Sequence, residues 1–107
     1  MKYLSTRDDS LSRSFNDILY QGLSRDGGLY LPQSWPRIDL LSLKNKSYEE
    51  VACEIIFPYV NENIEKLDLQ KILNETYSNF NHDKIAPLVE LENNKFLLGL
   101  IYGPTYA

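Results

Sequence analysis

The chain has 107 residues, of which 43% are hydrophobic and 24% charged, and its net charge is −4. This length allows at most one domain, and an acidic chain lacks the cationic surface that drives nucleic-acid binding. No apolar run approaches the ~20 residues that cross a membrane, and charges interrupt the apolar core that a signal peptide needs. Because the single cysteine, Cys53, suits a reducing compartment, we expect a cytoplasmic protein. The charge and the hydropathy lead us to expect no nucleic-acid or membrane partners.

Capping motifs predict where two of the helices begin. Ser14 can cap a helix whose third residue, Asp17, reaches back to it, and Ser47 and Glu50 repeat this arrangement. Proline disrupts a helix interior, so the second helix should end or kink just before Pro58. The apolar spacing predicts helices near 15–21, 48–57 and 69–79, and strands near 2–5 and 28–31.

Several polar or reactive residues have two possible interpretations. Residues 6–13 are predicted to form a loop, in which Arg7 could bind an anion or be a solvated or salt-bridged side chain. His82 is the only histidine, and it could be catalytic or a solvated loop residue. Cys53 lies one step off the apolar stripe of its helix, which favours a small, partly buried residue over a reactive thiol. Asp68 can cap the third helix.

The apolar pattern changes after Ile85. Residues 88–92 and 95–102 read as two strands joined by Asn93 and Asn94, which tolerate positive φ. The second strand is nearly all apolar, a pattern that is typical of a strand covered on both faces. Together with the helices, this hairpin predicts a small α+β fold.

Short motifs along the whole chain resemble those of threonine synthases that act on O-phosphohomoserine. They comprise Ser5-Thr6-Arg7, Ser14-Phe15, Gly22-Leu23, Asp26-Gly27-Gly28-Leu29-Tyr30, Ala86-Pro87-Leu88-Val89 and Gly103-Pro104-Thr105. Where this family usually has Gly, Glu and His, the chain has Asp8, Gly99 and Tyr102. The resemblance implies an N-terminal domain over residues 1–84 and the start of a catalytic domain over residues 85–107, truncated from a larger α/β enzyme.

The chemistry implied by the resemblance uses pyridoxal phosphate as an electron sink. It converts O-phospho-L-homoserine and water to L-threonine and phosphate. The lysine that holds the cofactor is expected just beyond Ala107, so no residue of the chain is expected to be catalytic and no metal site is expected. Four residues are expected to lie near the substrate or cofactor: Tyr102, Gly103, Pro104 and Thr105.

Two expectations concern the chain by itself. It should bind no cofactor and have no activity, because Lys84 and Lys95 lie in a loop and at a turn, where nothing lowers the pKa of an amine. It should also self-associate through residues 95–102, because an uncovered apolar strand is a template for edge pairing. The alternative function is a non-catalytic interaction module that shares the same fold.

Overall fold

Helices pack beside two small antiparallel sheets, and the predicted α+β class is confirmed. The computed structural model describes residues 1–104. Its helices are α1 (Phe15–Gln21), a 3-10 helix (Leu40–Leu43), α2 (Tyr48–Val60) and α3 (Lys66–Ser78). Its strands are β1 (Tyr3–Ser5), β2 (Ser12–Arg13), β3 (Tyr30–Pro32), β4 (Leu88–Glu92) and β5 (Lys95–Leu98). Within residues 1–104, every helix is too short or too polar to cross a membrane.

The first sheet places β1 between β2 and β3. Tyr3 pairs with Arg13 on one side and with Pro32 on the other. The predicted loop over 6–13 was therefore partly wrong, since a two-residue strand leaves no apolar period to recognise. Strand β3 also extends to Pro32 instead of ending before it, because an edge strand tolerates a residue without an N–H donor.

Both predicted capping boxes are present. Ser14 Oγ accepts from Asp17 N at 3.3 Å, and Asp17 Oδ2 accepts from Ser14 N at 3.0 Å. Ser47 Oγ accepts from Glu50 N at 3.2 Å, and Glu50 Oε2 accepts from Ser47 N at 2.7 Å. These reciprocal bonds satisfy free N–H groups in the first turn and fix where α1 and α2 begin.

The core lies between α2 and α3. Its buried side chains are Cys53 and Val60 from α2 and Leu69 and Leu73 from α3. The buried stripe of α2 thus includes Cys53, which is 3% exposed, and the prediction of a partly buried residue off the stripe was wrong. Helix α2 also continues through Pro58 to Val60, because its last turn packs against this core.

Helix α3 begins at Lys66, three residues earlier than predicted. Asp68 lies inside its first turn instead of capping it, and its carboxylate pairs with Lys71 Nζ at 2.8 Å. The cap residue is Glu65, whose side chain makes no capping hydrogen bond. A carboxylate in the first turn is still favourable, because it faces the positive end of the helix dipole.

The second sheet is the predicted hairpin of β4 and β5. Asn94 adopts a φ of 60° at its turn, as expected from the Asn-Asn pair. Strand β5 ends at Leu98, however, and not at Tyr102. All nine residues of the two strands are exposed, so the hairpin is not covered by any described part of this chain.

Candidate functional site

The segment expected to lie near a cofactor is anchored to the loop after α3. The ring of Tyr102 packs against the ring of His82, with centroids 4.7 Å apart and planes at 49°. The backbone oxygen of Tyr102 accepts from Asn81 N at 2.9 Å. Tyr102 and Gly103 are half-buried, Pro104 is exposed, and Thr105 lies outside the described residues.

Two glycines allow this segment to approach its neighbours closely. A Cβ on Gly103 would lie 3.0 Å from Cζ of Phe80, and a Cβ on Gly99 would lie 2.9 Å from Cε2 of Tyr102. Gly99 N also donates to Pro87 O at 2.9 Å. Gly99 and Tyr102 therefore lie against each other, and the aromatic ring uses space that a side chain at position 99 would occupy.

His82 is more constrained than a solvated loop residue. Its side chain is half-buried, and its Nδ1 accepts from Lys84 N at 3.0 Å. Because Nδ1 holds a lone pair in this bond, a neutral ring carries its proton on Nε2. His82 lies in a loop as predicted, but its ring is half-buried and not fully solvated, since the contact with Tyr102 spans 20 residues of sequence and leaves no local signal.

The loop that carries His82 contains a strained residue. Ile85 has a φ of 57° and is 7% exposed. A positive φ is a genuine outlier for a β-branched residue and costs about 1–3 kcal/mol. Ile85 N donates to His82 O at 2.8 Å, so the strained residue closes the turn that begins at His82.

The two lysines near this segment are in solvent. Lys84 is exposed, and Lys95 pairs with Glu92 at 3.2 Å while 73% of its side chain is exposed. Neither amine is held in an apolar pocket of the kind that activates a lysine. Within residues 1–104 no group of three or more His, Cys, Asp or Glu side chains could hold a metal ion.

A second constellation joins two sequence motifs near the N-terminus. Ser5 Oγ donates to the carboxylate of Asp26, and Thr6 Oγ1 accepts from Leu29 N at 3.0 Å. Arg7 Nη1 donates to the backbone oxygen of Asp26 at 3.2 Å. Arg7 is exposed, which agrees with the solvated side chain considered from the sequence, and it also contacts the glycine turn.

Hydrogen bonds favour the ionised form of the Asp26 carboxyl. The donation from Ser5, followed by the Gly28 N–H at 2.8 Å, lowers the pKa of the Asp26 carboxyl below its ordinary value. Gly28 is buried, and a Cβ there would lie 2.3 Å from Ser5 Oγ. The turn is thus closed around its own side chains and offers no open phosphate cradle.

A polar cleft of about 230 Å³ lies where α2 meets α3. Glu54 on one wall pairs with Lys46 at 2.9 Å and with Lys66 at 3.1 Å. Both hydrogen bonds lower the pKa of the Glu54 carboxyl, the bond from Lys46 more strongly. Because the lysines are already paired with Glu54, the cleft has little charge left to attract an anionic ligand.

Comparison with known proteins decides the family. The model of the threonine synthase N terminus matches residues 2–77, and a threonine synthase from Pseudomonas aeruginosa is 42% identical over 110 aligned residues. The chain belongs to the threonine synthase N-terminal family. A solved structure of threonine synthase from Brucella melitensis with bound PLP superposes on 97% of this chain with a TM-score of 0.90 and 42% identity. The yeast threonine synthase structure superposes on 99% of the chain with a TM-score of 0.83 and 34% identity.

The family match covers a small part of its relatives. The chain spans 24% of the Pseudomonas aeruginosa protein and 23% of the Brucella melitensis and yeast chains. The match to the threonine synthase N-terminal family ends at residue 77, in the last turn of α3. It therefore includes the first sheet and the core but not the hairpin. The solved structures extend the likeness of fold across the hairpin as well.

Proposed function

We propose that this chain is the N-terminal portion of a threonine synthase that converts O-phospho-L-homoserine and water to L-threonine and phosphate. The observation that carries the proposal is the 42% identity and TM-score of 0.90 to the PLP-bound threonine synthase of Brucella melitensis, over 97% of this chain. The shared motifs at Ser5-Thr6-Arg7 and Asp26-Gly27-Gly28 support it, because their side chains interlock in one unit. The protein acts in the cytoplasm under this proposal.

The complete protein would use pyridoxal phosphate, but the described residues do not fit the whole cofactor. Neither Lys84 nor Lys95 is buried, and the turn at Gly27 and Gly28 is filled by the side chains of Arg7 and Ser5. We therefore assign the anchoring lysine and the phosphate cradle to the rest of the protein. Tyr102, Gly103 and Pro104 form one wall of the site under this proposal, and Thr105 follows them in the sequence.

The proposed domain boundary lies at the loop before the hairpin, with residues 1–84 in the N-terminal domain and residues 85–107 in the catalytic domain. Two features support it. Ile85, with its positive φ, lies in the loop between α3 and the hairpin, and β4 and β5 pair with each other and not with the first sheet. The exposed apolar face of the hairpin would be buried by the catalytic domain in the complete protein.

The test uses the complete reading frame that contains this chain. Purified protein with pyridoxal phosphate should release phosphate from O-phospho-L-homoserine and form threonine in equal amount. The 107-residue chain, treated in the same way, should show no cofactor absorbance after dialysis and no phosphate release. Turnover by the short chain would contradict the placement of the site, and a complete protein without turnover would contradict the proposed function and favour an interaction module.

A further inference from the structure

Tyr102 is held from three directions. Its ring contacts the ring of His82 at a centroid distance of 4.7 Å, and its backbone oxygen accepts from Asn81 N at 2.9 Å. On the third side lies Gly99, where an added Cβ would come within 2.9 Å of the Tyr102 ring. The side chain that follows the hairpin is therefore placed by the loop after α3 and not by the hairpin alone.

The loop after α3 also has hydrogen bonds of its own. Lys84 N donates to Nδ1 of His82 at 3.0 Å. Ile85 is buried with a positive φ, and its N–H donates back to the carbonyl of His82. A strained conformation persists only where its surroundings determine it. His82 therefore has contacts within its own loop besides the contact with Tyr102.

The same loop also contacts the residue after Tyr102. Phe80 lies against Gly103, so close that a Cβ on Gly103 would be 3.0 Å from the ring. Phe80 in turn packs on Tyr77 of α3, with centroids 5.2 Å apart. Two consecutive residues of the candidate site thus rest on Phe80 and His82, which connect the site to the helical core.

We propose that His82 is a positioning residue, whose ring holds Tyr102 and thereby sets the path of Gly103 and Pro104. This inference rests on the proposed function, in which those residues form one wall of the site. A wall displaced by about 1 Å reduces turnover far more than it reduces binding, because the reacting atoms are no longer aligned. His82 acts through Tyr102 and requires no contact with the substrate.

The first experiment measures turnover by the complete protein with three variants. His82→Ala removes the ring, His82→Phe keeps a ring against Tyr102 but lacks the Nδ1 acceptor, and Asp83→Asn is the matched control at the next, exposed position. His82→Ala should lower kcat about tenfold while KM changes less than about threefold. His82→Phe should recover most of kcat, and Asp83→Asn should match the wild type.

The second experiment uses the 107-residue chain and needs no activity. Hydrogen exchange of the Asn81 amide, which donates to Tyr102 O, reports whether Tyr102 is held in place. His82→Ala should lower the protection of this amide about tenfold, and His82→Phe should preserve it. If His82→Ala does not fold, Tyr102→Ala removes the other half of the contact and should produce the same losses.

The outcomes separate this inference from the function on which it rests. A complete wild-type protein without turnover would overturn the proposed function, and the role of His82 with it. An active wild type with an unchanged kcat in His82→Ala would overturn only the role of His82. Equal losses in His82→Ala and His82→Phe would also overturn it, because the ring contact would then not be the cause.

Discussion

Ser5 donates its hydroxyl to both carboxylate oxygens of Asp26, at 2.9 and 2.7 Å, across 21 residues of sequence. The Ser5 oxygen accepts from Arg7 N at 3.2 Å, and Arg7 returns to the backbone of Asp26. The turn after α1 is therefore fixed to the end of β1 by side chains as well as by the sheet. Any substitution that enlarges a side chain in this turn should disturb the hydrogen bonds of Ser5.

Gly28→Ala should destabilise the chain by about 2–3 kcal/mol, because the new Cβ would overlap Ser5 Oγ. The ideal Cβ lies 2.3 Å from that oxygen and 3.0 Å from the Asp26 carboxylate. Urea unfolding followed by circular dichroism measures the change. Gly22→Ala is the matched control, because its Cβ would meet nothing within 4 Å and only its φ of 69° resists the change. A smaller loss for Gly28→Ala than for Gly22→Ala would contradict this account.

Acid should destabilise the chain partly through Asp26. Its pKa in the folded state is lowered, chiefly by the Ser5 hydroxyl and then by the Gly28 N–H. Its contribution is therefore complete above the unfolded pKa of about 3.9 and is lost as the pH falls through the lower folded value. Asp26→Asn should be less stable at pH ~7 and should lose less further stability below pH ~4 than the wild type does.

The stability of Asp26→Asn will still depend on pH. Asp17, Glu54 and Glu62 also have lowered pKa values, through hydrogen bonds from Ser14, Lys46 and the N-terminal amine respectively. Asp83→Asn, at an exposed position, is the control and should keep the wild-type dependence on pH. An Asp26→Asn curve parallel to the wild type through this range would show that the carboxylate is not coupled to folding.

At position 85 the glycine variant should be more stable than the alanine variant, which is the reverse of the usual order. Both substitutions remove a buried side chain, but glycine adopts a φ of 57° without a steric penalty. We expect Ile85→Gly to be more stable than Ile85→Ala by about 1 kcal/mol. At Leu73, which is buried inside α3, the order should be the normal one, with glycine less stable than alanine by about 1 kcal/mol. Denaturant midpoints of the four variants decide the matter, and the same order at both positions would contradict the assignment of strain to Ile85.

The 107-residue chain should self-associate through its hairpin. Phe96, Leu97 and Leu98 are 53–55% exposed on a two-stranded sheet with open edges. Sedimentation should show association that increases with concentration, and Leu98→Lys should suppress it by placing a charge on the apolar surface. Leu41→Lys, on the 3-10 helix and 83% exposed before substitution, should leave it unchanged. A wild-type chain that stays monomeric at high concentration would refute the prediction.

Local signals were enough to predict much of this fold. The capping boxes at Ser14 and Ser47 depend on residues three apart, and both are present in the structure. Strand β2 was missed because its two residues are selected only by their pairing with β1. The continuation of α2 past Pro58 was missed for a similar reason, since contacts with α3 outweigh the missing hydrogen bond.

The candidate site was predicted less completely. The motif at Gly103 and Pro104 was recognised from its resemblance to threonine synthases, but its support was not. Phe80 contacts Gly103 and His82 contacts the preceding Tyr102, through contacts that span about twenty residues and follow no period. The proximity of Gly99 to Tyr102 was also hidden, because it depends on how the chain folds after β5.

Chemical labelling of the single thiol of the chain can report on separation of the helices. Cys53 is 3% exposed and lies in the core between α2 and α3. Because so little of the residue is exposed, alkylation in native buffer should be slow and should accelerate when those helices part. Because Cys53 is the only cysteine, the signal has one origin. Cys53 lies outside the hairpin, so labelling reports on the helical core and not on the apolar strands.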